Sequence, residues 1–157
     1  MRIVFQYYSG GGGGLANFTL LLQAYLQRFP EDHITIVCSD KSALQQLKCA
    51  GNLDFVRLPE GRFKELIRLW LGCVGLNNIA KNARADLVWS LNLGAYIRGK
   101  IPAVLSLNNA HQIYPKAVTK MHPGGRLRVF LLRFFFRLSW RAANGIIVQT
   151  PLMAKYV

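Results

Sequence analysis

Six short runs of β-branched, aliphatic and aromatic residues, each separated from the next by a longer stretch, constrain this chain more than any other feature. They are Ile3–Tyr7, Ile34–Cys38, Leu53–Arg57, Asp86–Ser90, Ala103–Leu107 and Gly145–Gln149. Most are continuous apolar runs and do not alternate with polar residues, the pattern of strands covered on both faces. The segments between them, Leu15–Phe29, Asp40–Ala50, Gly61–Ala80 and Arg126–Ala142, carry helical spacing, with Ser39 or Asp40 suited to cap the second. Strands alternating with helices predict an α/β fold, a Rossmann-like, doubly wound and mostly parallel sheet joined by right-handed crossovers. With 157 residues, the length of one domain, such a chain buries roughly 68–70% of its unfolded surface.

Composition removes several alternatives. Apolar residues at 52% against charged residues at 17% exclude a disordered chain. Three cysteines, Cys38, Cys49 and Cys73, lack any Cys-x-x-Cys or Cys/His spacing, so neither a disulfide framework nor a metal site is predicted, and a reducing, cytoplasmic compartment is the simplest reading. Ile3-Val4-Phe5 is too short for a signal sequence, and Leu69–Leu76 and Val129–Phe136 fall short of the ~20 apolar residues of a spanning helix. At the far end Thr150-Pro151 has the form of an N-cap followed by proline in the first helical position, with the chain ending seven residues on. That suggests the front part of a longer polypeptide, residues 1–157 forming one domain and a C-terminal domain following.

Charge is unevenly placed. Residues 1–86 carry ten basic and seven acidic side chains, a net +3, whereas residues 87–157 carry ten basic and none acidic, a net +10. An anionic partner is implied. On the last long helix Arg126, Arg133, Arg137 and Arg141 fall within an arc of about 80° at ~100° per residue. Arg62–Trp70 forms a second basic amphipathic segment, and both suit the surface of an anionic membrane, with Arg133, Arg137 and Arg141 as the contact. No motif of nucleic-acid binding accompanies the charge.

Two groups of residues are placed for ligand chemistry. The glycine run Gly10–Gly14 follows the first strand and opens the first helix, where glycine lets a ligand approach the backbone and the helix start favours phosphate. Gly11, Gly12 and Gly13 are the candidates. Read as a dinucleotide fingerprint, Gly11-x-Gly13-x-x-Ala16 with Asp40 as the ribose-binding acid would make this an NAD(P)-dependent oxidoreductase domain. Read blandly, the run is a tight turn. The second group ends the fourth and fifth strands: Ser90 and Asn92, then Asn108, Asn109 and His111, polar side chains suited to sugar hydroxyls.

Four stretches in order give the chain a resemblance to the N-terminal domain of glycosyltransferase family 4, enzymes of the GT-B fold. They are Arg2-Ile3-Val4-Phe5 leading to the glycines, Ala85-Asp86-Leu87-Val88-Trp89-Ser90, Ile101-Pro102-Ala103-Val104-Leu105-Ser106-Leu107, and Ala142-Ala143-Asn144-Gly145-Ile146-Ile147-Val148-Gln149-Thr150. The resemblance implies two Rossmann-like domains with the site between them, this one holding the acceptor, a sugar or lipid-linked glycan. It implies a nucleotide-sugar co-substrate bound by the other domain, no further cofactor, hexosyl transfer with retention of configuration, and a role in cell-surface glycan or glycolipid synthesis. Alone, this half is expected to be inactive. Where many members carry a histidine right after the fifth strand this sequence has Asn108; His111, three residues on, is a loop position that some members also fill with histidine, and on that resemblance it is a candidate catalytic side chain, no catalytic residue being assigned by the sequence. The family's pair of glutamates eight residues apart does not occur here. A non-catalytic basic module docking on a membrane or partner is the alternative from another class.

Overall fold

A computed structural model describes residues 1–8, 13–42, 44, 52–91, 100–107, 130, 133–134 and 137–155. Six strands form one wholly parallel sheet: β1 (Arg2–Tyr7), β2 (His33–Ser39), β3 (Leu53–Leu58), β4 (Leu87–Leu91), β5 (Ala103–Leu107) and β6 (Gly145–Val148). Their spatial order is β3-β2-β1-β4-β5-β6, so the chain winds outward from β1 in one direction and then in the other. This is the doubly wound α/β architecture.

Alternation along β1 divides the core. Ile3, Phe5 and Tyr7 face helix α1 (Gly13–Arg28), packing with Phe18 and Leu22 and with Ile34, Ile36 and Cys38 of β2. Val4 and Tyr8 face the other way, against Leu71, Leu76 and Ala80. Those three belong to the β3–β4 crossover, built from α2 (Lys64–Trp70), a π-helical turn at Leu71–Gly75 and α3 (Leu76–Asn82). Opposite directions of travel put the two crossovers on opposite faces, as right-handed connections require. Leu107 with Met153 of the short helix α4 (Pro151–Ala154) forms a smaller cluster, and Thr150 Oγ1 caps α4 by accepting from Met153 N at 3.1 Å.

Differences from the sequence expectations are local. Residues 40–42 form a turn, so neither Ser39 nor Asp40 caps a helix: Ser39 lies inside β2, and its hydroxyl accepts from Lys41 N at 3.1 Å; of the helix expected over 40–50, residues 43 and 45–50 lie outside the described residues. Asp86 precedes β4 and serves it as a clamp, accepting from Arg2 N at 2.7 Å and donating its own N–H to Arg2 O at 2.8 Å. The third helix starts at Lys64, past Gly61, and is broken by the π turn, where Gly75 lies under the Trp70 indole. A Cβ there would lie 2.5 Å from that ring.

At the end of α3, Ala85 N donates to Ala80 O and Arg84 N to Lys81 O, the paired bonds of a Schellman stop. Arg84 holds the left-handed position at φ 50°, which a side chain disfavours. Arg84→Gly is therefore expected to raise the unfolding free energy by about 0.5–1 kcal/mol. Urea denaturation measures it, and a loss of stability would show that the arginine contributes more than its backbone costs.

Candidate functional site

In an open parallel sheet the ligand crevice forms at the carboxyl ends of the two neighbouring strands whose connections leave in opposite directions. Here those strands are β1, which leads to β2 on one side, and β4, which leads to β5 on the other. At that end of the sheet stand Tyr7 and Tyr8, Ser90 and Leu91, Ser106 and Leu107, all buried, with the start of α1 at Gly13 following β1.

Under the crevice lies a polar contact inside the sheet. Gln6 and Ser90 pair across β1 and β4, and Ser90 Oγ donates to Gln6 Oε1 at 2.8 Å. Both side chains are buried, and Gln6 Nε2 has no acceptor. An amide N–H left unbonded in the interior costs free energy, so this pair weakens the sheet at its centre relative to an apolar one. On the opposite face, Trp89 Nε1 donates to Ser106 Oγ at 2.7 Å, tying β4 to β5 beside the stack of Trp89 on Phe5.

The β2–β3 side of the same edge is held by its own bonds. Tyr8 OH donates to Pro59 O at 2.6 Å, Ser39 Oγ donates to the Glu60 carboxylate, and Glu60 N donates to Asp40 Oδ1 at 2.9 Å. Asp40 N in turn donates to Leu58 O at 2.9 Å. Asp40, the acid a dinucleotide reading would assign to a ribose, thus has one oxygen engaged in fixing the exit of β3. Beside it Cys38 is buried, and burial pushes its thiol above the ordinary thiol range despite the opposing charge of Arg57.

The remaining ionisable contacts lie at the other end of the sheet. The N-terminal ammonium and the Tyr25 hydroxyl both bond the Asp32 carboxylate, which holds it below the usual carboxylate range. Burial, with Asp32 adding to it, pushes Tyr25 up to about 12. His33 Nε2 contacts Asp54 Oδ2 at 2.8 Å at an exposed position. Open hollows of about 550 and 470 Å³, lined by Arg2 and His33 among others, also lie at this amino end, away from the crevice. Among the described residues no three His, Cys, Asp or Glu side chains gather as a metal site.

Of the residues singled out in the sequence, the structure places Gly13 at the first position of α1, next to the crevice, and Ser90 at the carboxyl end of β4 with its hydroxyl bonded to Gln6. Gly11, Gly12, Asn92, Asn108, Asn109 and His111 lie outside the described residues. Arg137 and Arg141 are exposed on the helical stretch 137–142, and Arg133 is half-buried. Sequence reasoning missed Gln6. A glutamine among Ile3, Val4, Phe5 and Tyr7 is the one signal that could have found it, because a polar residue inside an otherwise apolar central strand needs a bonding partner.

No family model matches the sequence, and no curated protein matches it. Among solved structures the chain is similar to a UGT transferase from Siraitia grosvenorii in complex with UDP, with a TM-score of 0.59 at 12% identity. The likeness covers 95% of this chain and 44% of the transferase chain. What the two share is the fold, a Rossmann-type α/β unit; family 4 is not distinguished by it.

Proposed function

We propose that this chain is the acceptor-side part of a sugar-nucleotide-dependent glycosyltransferase. The observation that carries the reading is a doubly wound sheet of order β3-β2-β1-β4-β5-β6 in a chain whose fold likeness to a transferase captured with UDP covers 95% of this chain and 44% of that one. A second domain would supply the nucleotide-sugar and the far wall of the crevice. In the reaction the bond from the sugar's anomeric carbon to the leaving phosphate oxygen breaks, a bond to the acceptor hydroxyl oxygen forms, and the nucleoside diphosphate departs with the electron pair and takes up the proton that the acceptor hydroxyl loses.

Rate in such a reaction comes from positioning and from donors aimed at the departing diphosphate. Backbone N–H groups at Gly11–Gly13 are the proposed donors, aided by the positive end of α1. Asn92, Asn108, Asn109 and His111 would orient the acceptor hydroxyls, with retention of anomeric configuration. Ser90 would act from beneath, holding the strand ends in register through Gln6. Cys38 and Cys73 are free thiols, which fits work in the cytoplasm on cell-surface glycan or glycolipid precursors.

The test follows nucleoside diphosphate release from a panel of nucleotide-sugars by the natural polypeptide that contains this chain. Gly12→Val, which puts a branched side chain where a ligand must approach the backbone, is expected to lower turnover by about 100-fold or more. Unchanged turnover would reduce the glycine run to a turn. Tight binding of a nicotinamide dinucleotide, with no release from any nucleotide-sugar, would replace the transferase by the oxidoreductase.

A further inference from the structure

Helices connecting strands usually turn their apolar side to the sheet and their polar side to water. The β3–β4 crossover departs from this. Its inner side is buried through Leu71, Leu76 and Ala80, yet Phe63, Leu66, Trp70 and Val74 are between 46% and 62% exposed. These four recur at i, i+3, i+7 and i+11, so they form a ridge along the outer side of the helix. The Arg62 guanidinium lies 5.8 Å from the centre of the Phe63 ring, and Lys64 is exposed beside it.

A second ridge stands on the β5–β6 crossover, helical at each of its described residues between 130 and 142. Phe130, Phe134 and Leu138 recur at i, i+4 and i+8 and are exposed, beside the exposed Arg137 and Arg141. The β3–β4 and β5–β6 connections step across the sheet in the same direction, so right-handedness puts both on the same face. Two outward ridges of aromatic and aliphatic side chains, each flanked by cations, therefore share one side of the molecule.

We infer that this side docks on a lipid bilayer carrying anionic headgroups, with Phe63, Leu66, Trp70, Phe130 and Phe134 entering the interface and the flanking cations meeting phosphate. Charge selects the occupant. The chain carries a net +13, with no acid after Asp86, so a second copy meets like charge, whereas an anionic bilayer offers a complementary surface and an apolar layer for the rings. Contact is interfacial: among the described residues no helix is long and apolar enough to cross a membrane. The inference does not rest on the proposed transferase activity.

Co-sedimentation tests it, using phosphatidylcholine vesicles with and without phosphatidylglycerol, and the Phe63→Ser, Leu66→Ser, Phe134→Ser triple variant beside the wild type. The wild type should pellet with anionic vesicles, and the variant's partitioning should fall about tenfold or more while its melting stays cooperative. Should the variant fail to fold, bromine-labelled lipid supplies the readout in the wild type, because Trp70 in the interface has its emission quenched. Wild type that stays in the supernatant, a folded variant that binds like the wild type, or unquenched tryptophan emission would each overturn the inference. So would a stable dimer in sedimentation velocity that leaves anionic vesicles unbound. A chain that docks yet releases no nucleoside diphosphate would uphold docking while the transferase reading fails.

Discussion

Phe5→Ala is expected to lower the unfolding free energy by about 3–5 kcal/mol, the range for truncating a buried aromatic ring. Phe5 is wholly buried in the central strand. Its ring stacks on Trp89 at 5.1 Å between centroids and meets Phe18 at 5.7 Å and Tyr25 at 6.3 Å in inclined geometry. Those three rings come from β4 and from two positions of α1 about two turns apart, so one truncation loosens the helix and the β1–β4 seam together. For a chain of this length each kcal/mol moves the midpoint by about 2–4 °C, so a fall of about 10 °C is expected in thermal denaturation. A loss under about 1 kcal/mol would mean that the cluster collapses around the gap with little penalty.

Ser90→Ala carries the second large effect, and its sign can be reversed. Removing the hydroxyl leaves Gln6 Oε1 without the bond from Ser90, beside the Nε2 that already lacks an acceptor. A buried polar group left in this state costs about 1–3 kcal/mol. Adding Gln6→Met removes the amide altogether and fills a similar volume with apolar atoms, so the double variant should return to wild-type stability or exceed it. Urea denaturation of the wild type, both single variants and the double variant gives the coupling directly. A double variant no more stable than Ser90→Ala would show that the glutamine's shape, not its bonding, holds the strands.

Much of the architecture is legible in the sequence because strands buried on both faces leave little room for polar residues. The run Ile34–Cys38 lies wholly inside β2, and Ala103–Leu107 coincides with β5. Thr150-Pro151 is equally direct, since the residue that caps and the residue that follows are both diagnostic. The π turn is hidden because Gly72, Cys73, Val74 and Gly75 carry weak helical preference and no periodic mark, so backbone bonding there answers to the packing of Leu71 and Leu76. Ser39 and Asp40 mislead for a related reason: both are good caps, but their side chains bond Lys41 N and Glu60 N and so build a turn. At the crevice, position was readable and bonding was not. Ser90 stands at a strand end as expected, yet its partner lies 84 residues away in sequence.

The order of the strands along the chain also fixes an order of assembly. β1, β2 and β3 are consecutive in sequence and adjacent in space, so they can pair as soon as residue 58 is available. The other edge of β1 must wait for β4 at Leu87–Leu91. During synthesis at about 5–20 residues per second, that leaves the backbone groups of Val4 and Gln6, which with those of Arg2 point to this edge, open for roughly 2–7 s. An apolar strand edge exposed for seconds is a template for pairing with another nascent chain. Asp86, which grips both the N–H and the C=O of Arg2, is the first residue able to close that edge, and it does so at the end where the register of β4 on β1 begins.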